Sequence, residues 1–210
     1  MSGEDATYVL IPGAWHGGWS WRPVAERLRV AGHRAICLTL PGLGDGDDPT
    51  GLGLKDAVDH VVSEVERRGL TGVTLVGHSW GGYPLAGAAH RLPGRVSKVV
   101  YYAAQVPVRG RSMVDDNPPE AAAMLRGPSV WWGRSADAAA RRLFPGRTRR
   151  AQCERAWNSR AVHPRRGRSR ASPARRRVRG AAGARTRHGS WDHEGMLTHP
   201  DEVAKAILNN

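Results

Sequence analysis

"LTGVTLVGHSWGG", Leu70 to Gly82, is the stretch whose reading decides the fold. Val73 to Val76 is a short apolar, β-prone run. It leads directly into Gly77-His78-Ser79-Trp80-Gly81, a G-x-S-x-G pattern, and a helical segment is expected from Gly81 to Leu92. A serine hydroxyl is a poor nucleophile until a base takes its proton and the chain holds it exposed. A sharp strand-to-helix turn does the second job, and its tight backbone needs small residues two places before and two places after the serine. The five-residue pattern alone is weak, since a glycine-rich turn can contain a serine by chance. Its place between a strand and a helix gives it meaning.

The same alternation extends to both sides. Thr7 to Ile11 reads as a buried strand ending at Pro12-Gly13. Trp21, Val24, Ala25 and Leu28 follow at helical spacing, and Gly32 stops that helix. Arg34 to Leu40 reads as a second strand, closed by Pro41-Gly42. Leu54, Ala57, Val58, Val61, Val62 and Val65 form one apolar helix face, with Lys55, Asp59, Glu66 and Arg67 opposite. Val96 to Ala103 is a fourth strand, and Pro200 opens a final helix, Asp201 to Leu208. Strands alternating with helices imply a doubly wound, mostly parallel α/β sheet in a single domain over residues 1–210. The near-continuous apolar strands fit a sheet covered on both faces.

Composition bounds the rest. The formal net charge of +13 would suggest a nucleic-acid partner, but it is local. "SRAVHPRRGRSRASPARRRVRGAAGARTR", Ser159 to Arg187, holds eleven arginines and no acid, which leaves +2 for the remaining residues. Cys37 and Cys153 offer neither zinc spacing nor a disulfide framework, and Cys37 is expected to be a buried inert thiol. The first residues lack a signal-peptide pattern, and no apolar stretch approaches the ~20 residues of a membrane span. The expectation is a cytoplasmic protein without membrane attachment, with nucleic acid an unlikely partner and the oligomeric state undetermined.

Acyl transfer also needs backbone N–H donors for an oxyanion. Trp80, the residue after the nucleophile, supplies one. The second is expected from the glycine-rich loop "IPGAWHGGW", Ile11 to Trp19, with Ala14 the candidate. The base is expected to be one of nine histidines. His33, His60 and His90 lie on or beside helices and read as structural, and His78 is expected to pack away from the site. His193, in a loop just before the last helix, fits the order Ser…acid…His, with His188 and His199 as alternatives. The pocket is expected to be apolar and aromatic, lined by His16, Trp80 and the pair Trp131-Trp132, which could equally be packing residues. No cofactor or metal is called for.

Together these stretches resemble the α/β-hydrolase superfamily, and within it the small esterases grouped with plant methyl-ester hydrolases and hydroxynitrile lyases and their bacterial relatives. Pro12 to Asp45 is similar to the family's oxyanion loop, first helix and second strand; Leu70 to Gly82 to its elbow; Trp191 to Ala204 to its histidine loop and last helix. The resemblance implies catalytic roles for Ser79 and His193, oxyanion donors at Ala14 and Trp80, a small helical cap at about residues 107–157, and cleavage of small carboxylic esters. The chain has Pro12-Gly13 where the family usually has His-Gly. Glu194 and Ala14 stand where the family's lyases tend to have Lys and Thr, which favours hydrolysis over cyanohydrin cleavage. A catalytically inactive hydrolase-fold or basic binding protein is the non-enzyme alternative.

The family's acid follows a strand between the cap and the histidine loop, the place the arginine segment occupies. Asp137, Glu154, Asp192, Asp115 and Asp116 are the acids nearby in sequence, and none has the expected context. The segment has three readings: a nucleic-acid arm, a disordered insertion, or the product of two compensating reading-frame shifts. Its residue types, mostly Arg, Ala, Gly, Ser and Pro, have GC-rich codons, the whole chain has 29 arginines and three lysines, and family resemblance resumes after it. The frame reading ranks first, with the late strand region disrupted. Resequencing the gene around codons 145–190 should uncover a frame encoding an apolar strand followed by Asp. Independent reads confirming the present frame, with no such strand in another, would refute it.

Overall fold

A computed structural model describes residues 5–109, 112, 114, 119 and 193–210. Nearly all of the expected cap, the Trp131-Trp132 pair, the arginine segment with its disrupted strand, Cys153 and the five acids named above lie outside the described residues.

Four parallel strands form one sheet in the order β2-β1-β3-β4. They are β1 (Thr7–Ile11), β2 (Arg34–Cys37), β3 (Val73–His78) and β4 (Val96–Tyr102). The helices are α1 (Arg22–Val30), α2 (Leu54–Arg67), α3 (Gly82–Arg91), the single turn α4 (Gly195–Thr198) and α5 (Pro200–Leu208). One tight 3-10 turn, Gly18–Trp21, precedes α1, and another, Ser79–Gly81, joins β3 to α3.

Alternation along β1 explains the layers. Val9 and Ile11 point to one face and join Leu75, Val61, Val65 and Leu85, the side of α2 and α3. Tyr8 and Leu10 point to the other and join Trp21, Leu28, Val203 and Ile207, the side of α1 and α5. Both faces are therefore dry, and β3 is buried along its whole length. Helix ends carry the expected devices. The Asp56 carboxylate accepts from the Gly53 N–H at 2.8 Å ahead of α2, and Pro200, Asp201 and Glu202 occupy the first turn of α5. Arg27 on α1 pairs with Asp201 on α5 at 3.0 Å, tying the last helix to the first.

The element order is as expected, with three local differences. β2 leaves its ladder after Cys37, because the chain turns beneath the Gly18–Trp21 turn, where the Gly18 N–H donates to Thr39 Oγ1 at 2.9 Å. β3 runs two residues further than its apolar run, to His78, because Gly77 pairs with both β1 and β4 and His78 with β4, which holds the backbone extended there. β4 is not uniformly apolar: Ser97, Lys98 and Val99 are exposed, as suits the outer strand of the described sheet. Among the described residues no helix is long and apolar enough to cross a membrane. Cys37 is partly buried, and burial pushes its thiol pKa up, in keeping with an inert thiol.

Leu75 is fully buried at the centre of β3. Leu75→Ala should lower stability by about 2–5 kcal/mol, the range for truncating a buried leucine. Urea unfolding followed by circular dichroism checks this; a change below about 1 kcal/mol would mean that the sheet is not packed on both faces.

Candidate active site

β3 is paired on both sides and ends at His78, so the next residue is presented from a rigid base. Ser79 then takes φ = 53°, the left-handed region. The turn is possible because Gly81 has no side chain: a Cβ there would lie 2.5 Å from the Pro12 carbonyl oxygen. The Gln105 N–H, just past β4, donates to the Ser79 carbonyl at 3.1 Å and fixes the turn from the other side.

The loop after β1 runs against this turn. A Cβ on Gly13 would come within 2.9 Å of Ser79 Cβ and 2.8 Å of His78 Nδ1, so only glycine lets the two loops approach. Ala14, next along, is partly buried against the core, and Trp80 is buried. Trp80 follows Ser79 in the chain, and Ala14 follows the glycine packed against Ser79.

His193 reaches the serine. Its Nε2 lies 3.0 Å from Ser79 Oγ, across 114 positions of sequence. Of the alternatives, His199 is engaged elsewhere, with its Nδ1 2.7 Å from Thr198 Oγ1 at the start of α5; His188 lies outside the described residues. Among the described residues no carboxylate hydrogen-bonds the far ring nitrogen of His193. His33 is structural as expected, accepting the Ala6 N–H at 3.3 Å and packing edge-on to Tyr8. His60 is half-buried on α2; burial lowers its pKa, with the nearby charges of Glu64 raising it and of Arg67 lowering it.

His78 corrects the expectation that it would pack away from the site. It is fully buried, its ring lies 4.7 Å from that of His193, and its Nε2 is 3.0 Å from the His193 carbonyl oxygen. A carbonyl can only accept, so Nε2 carries the proton and His78 supports the loop that carries His193. His78 Nδ1 is buried with no hydrogen-bond partner among the described residues. Burial pushes its pKa down to about 4; the Glu194 charge opposes this, and His16 and His193 add to it.

His16 and Glu194 complete the cluster. His16 Nδ1 is 2.9 Å from the Ala14 carbonyl oxygen, and its Nε2 is 3.3 Å from Glu194 Oε2. Its ring also packs against Trp19, with centroids 5.4 Å apart. Burial disfavours the charged imidazole, but Glu194's hydrogen bond and charge, with the Ala14 carbonyl, outweigh it and raise the pKa. Burial likewise tends to raise the pKa of Glu194, and His16 together with the neighbouring histidines brings it below the usual range. His16, His78 and Glu194 bring one polar atom each within 4.8 Å of the others, so their charges act on one another at short range. Both ring nitrogens of His16 face oxygen acceptors, which suits a protonated imidazole paired with a carboxylate. Sequence reasoning placed His16 in the pocket and missed Glu194, whose partner lies 178 positions earlier.

A family model described as "Alpha/beta hydrolase family" matches residues 8–206. The chain belongs to the alpha/beta hydrolase family. Curated relatives include the carbendazim hydrolyzing esterase of Nocardioides sp. (strain SG-4G), 38% identical over 58% of this chain and 53% of the relative. Esterase PIR7B of Oryza sativa subsp. japonica is 36% identical over 53% of this chain and 43% of its own length. The chain thus spans about half the length of the curated relatives it matches. Among solved structures, an extracellular alpha/beta-hydrolase from a Paenibacillus species, described as sharing structural and functional homology with tobacco salicylic acid binding protein 2, aligns with a TM-score of 0.55. It is 28% identical, over 57% of this chain and 49% of that one. The family and fold implied by the three sequence stretches are the ones found.

The depressed pKa of His78 has a pH consequence. The unfolded ring protonates near pH 6.5 and the folded one only at about 4. Its contribution to stability is therefore complete above about pH 6.5 and is lost as pH falls towards 4, by up to about 3 kcal/mol. His78→Gln keeps an N–H donor without the titration. Urea unfolding between pH 7 and 4 should show a shallower loss for this variant than for the wild type; parallel curves would mean that His78 is not buried as a neutral ring.

Proposed function

We propose that this protein is a serine hydrolase that cleaves small carboxylic esters, with Ser79 the nucleophile and His193 the base. The observation that carries this reading is the 3.0 Å approach of His193 Nε2 to Ser79 Oγ at the apex of a left-handed turn. The esterase names of the relatives support the substrate class.

The steps follow from the geometry. Neutral His193 takes the Ser79 proton on Nε2 as Oγ bonds to the ester carbonyl carbon. The carbonyl oxygen becomes an oxyanion, received by the Trp80 and Ala14 amides. The protonated His193 then gives its proton to the departing alkoxide, leaving an acyl-serine and a free alcohol. Water, deprotonated by His193, attacks the acyl group, and the released Ser79 recovers its proton. His16 and Trp80 are read as lining the pocket, while Trp131 and Trp132, outside the described residues, keep both readings, pocket lining or cap packing.

A fluorophosphonate probe should label the wild type at one site. Ser79→Ala should abolish labelling, and His193→Ala should slow it by at least ~10³-fold, the scale of losing an activating base. Folded wild-type protein that takes up no probe, or Ser79→Ala protein that labels normally, would overturn the reading.

A further inference from the structure

The His16–Glu194 pair joins the two loops that the chemistry needs together. Glu194 directly follows His193 and begins the turn into α4, where its carbonyl accepts the Leu197 N–H at 2.8 Å. Its carboxylate faces His16 Nε2 at 3.3 Å, and the opposite nitrogen of His16 donates to the Ala14 carbonyl at 2.9 Å. A run of close contacts therefore links the Ala14 carbonyl, the His16 ring and the Glu194 carboxylate to the main chain of His193. His78 adds a second hold by donating to the His193 carbonyl. Resting on the roles of Ser79 and His193 given above, we infer that His16 and Glu194 form a charged clasp that positions His193 against Ser79 through its backbone. Both are positioning residues.

The clasp requires a charged His16: one ring nitrogen donates to the Ala14 carbonyl, and Nε2 faces a Glu194 carboxylate oxygen at 3.3 Å, an ion-pair contact outside hydrogen-bond geometry. The groups around His16 are Glu194 from the turn before α4, His78 from the end of β3 with its ring 5.8 Å away, and Trp19 from the turn before α1. His193 lies beyond His78. Glu194 is the one carboxylate described against it, and it favours the charged ring. The sign follows. A raised pKa means the clasp is complete at low pH and is lost as pH rises through the His16 pKa. Reaction at Ser79 should then have an alkaline limb set by His16, besides the acid limb expected of a base that must be neutral.

Two measurements test this on the full chain. The first is the fluorophosphonate labelling rate against pH. Glu194→Gln keeps the shape and removes the charge; it should shift the alkaline limb down by about one pH unit or more. It should also lower the rate at neutral pH about tenfold, the scale of an outer partner that orients a working group. His16→Gln should abolish the limb. Asp201→Asn, which loosens α5 from α1 without touching the clasp, should leave the limb in place. The second is ¹⁵N-histidine NMR, which reads the rings without any reaction. His16 should titrate above its ordinary pH in the wild type and lower in Glu194→Gln, and His193 ring signals should move as His16 titrates. An unmoved alkaline limb in Glu194→Gln, or a wild-type His16 titrating at its ordinary pH, would overturn the clasp. Absence of labelling at every pH would overturn the nucleophile reading instead. The clasp would then stand or fall on whether the His193 signals follow His16.

Discussion

Ser79 holds a backbone conformation that a side chain disfavours by about 1–3 kcal/mol, and everything else in the site depends on its being held there. Three features offset that strain. β3 is paired on both sides, so the strand entering the turn cannot slide. Gly81 lets the far side of the turn close to 2.5 Å from the Pro12 oxygen at the position a Cβ would take. The Gln105 N–H secures the serine carbonyl. With the hydroxyl fixed, the loop after β1 and the loop before α4 come together beside it.

The meeting of these loops uses an unusual concentration of histidine. His16, His78 and His193 come from three distant parts of the chain, and Glu194 is the carboxylate among them. Burial splits their roles. His78 is neutral because its ring is sealed, and it acts as a donor to the main chain. At His16 burial works against the charged ring, but the facing carboxylate outweighs it and raises the pKa. One residue type thus supplies a support, a charged link and a base, and the environment of each ring decides which.

Much of this was legible in the sequence, for physical reasons that differ by element. α2 was readable because its apolar positions recur at helical spacing and bury as one face, Ala57 to Val65. The turn at Ser79 was readable because its sterics leave few residues to choose from. The end of β2 was not, because Leu38 and Leu40 are as buried as any strand residue although they lie beyond the ladder. The exposed stretch of β4 depends on which strand lies outermost, a matter of topology rather than composition. The role of His78 was misjudged because alternation along a strand says which face a side chain takes and not which distant loop will cover it. Glu194 drew notice only for differing from lysine. The +13 net charge, prominent in composition, bears on none of the described site, since the arginine segment contributes most of it.

The central claim is that Ser79 forms a covalent bond with substrate and His193 drives its formation and breakdown. The most direct measurement is acid-quenched mass spectrometry during turnover of an aryl acetate. One acetyl group should appear on the peptide containing Ser79, and it should accumulate and then clear as substrate is exhausted. Hydrolysis proceeding with that peptide unmodified, or with the acetyl group on another residue, would contradict the account.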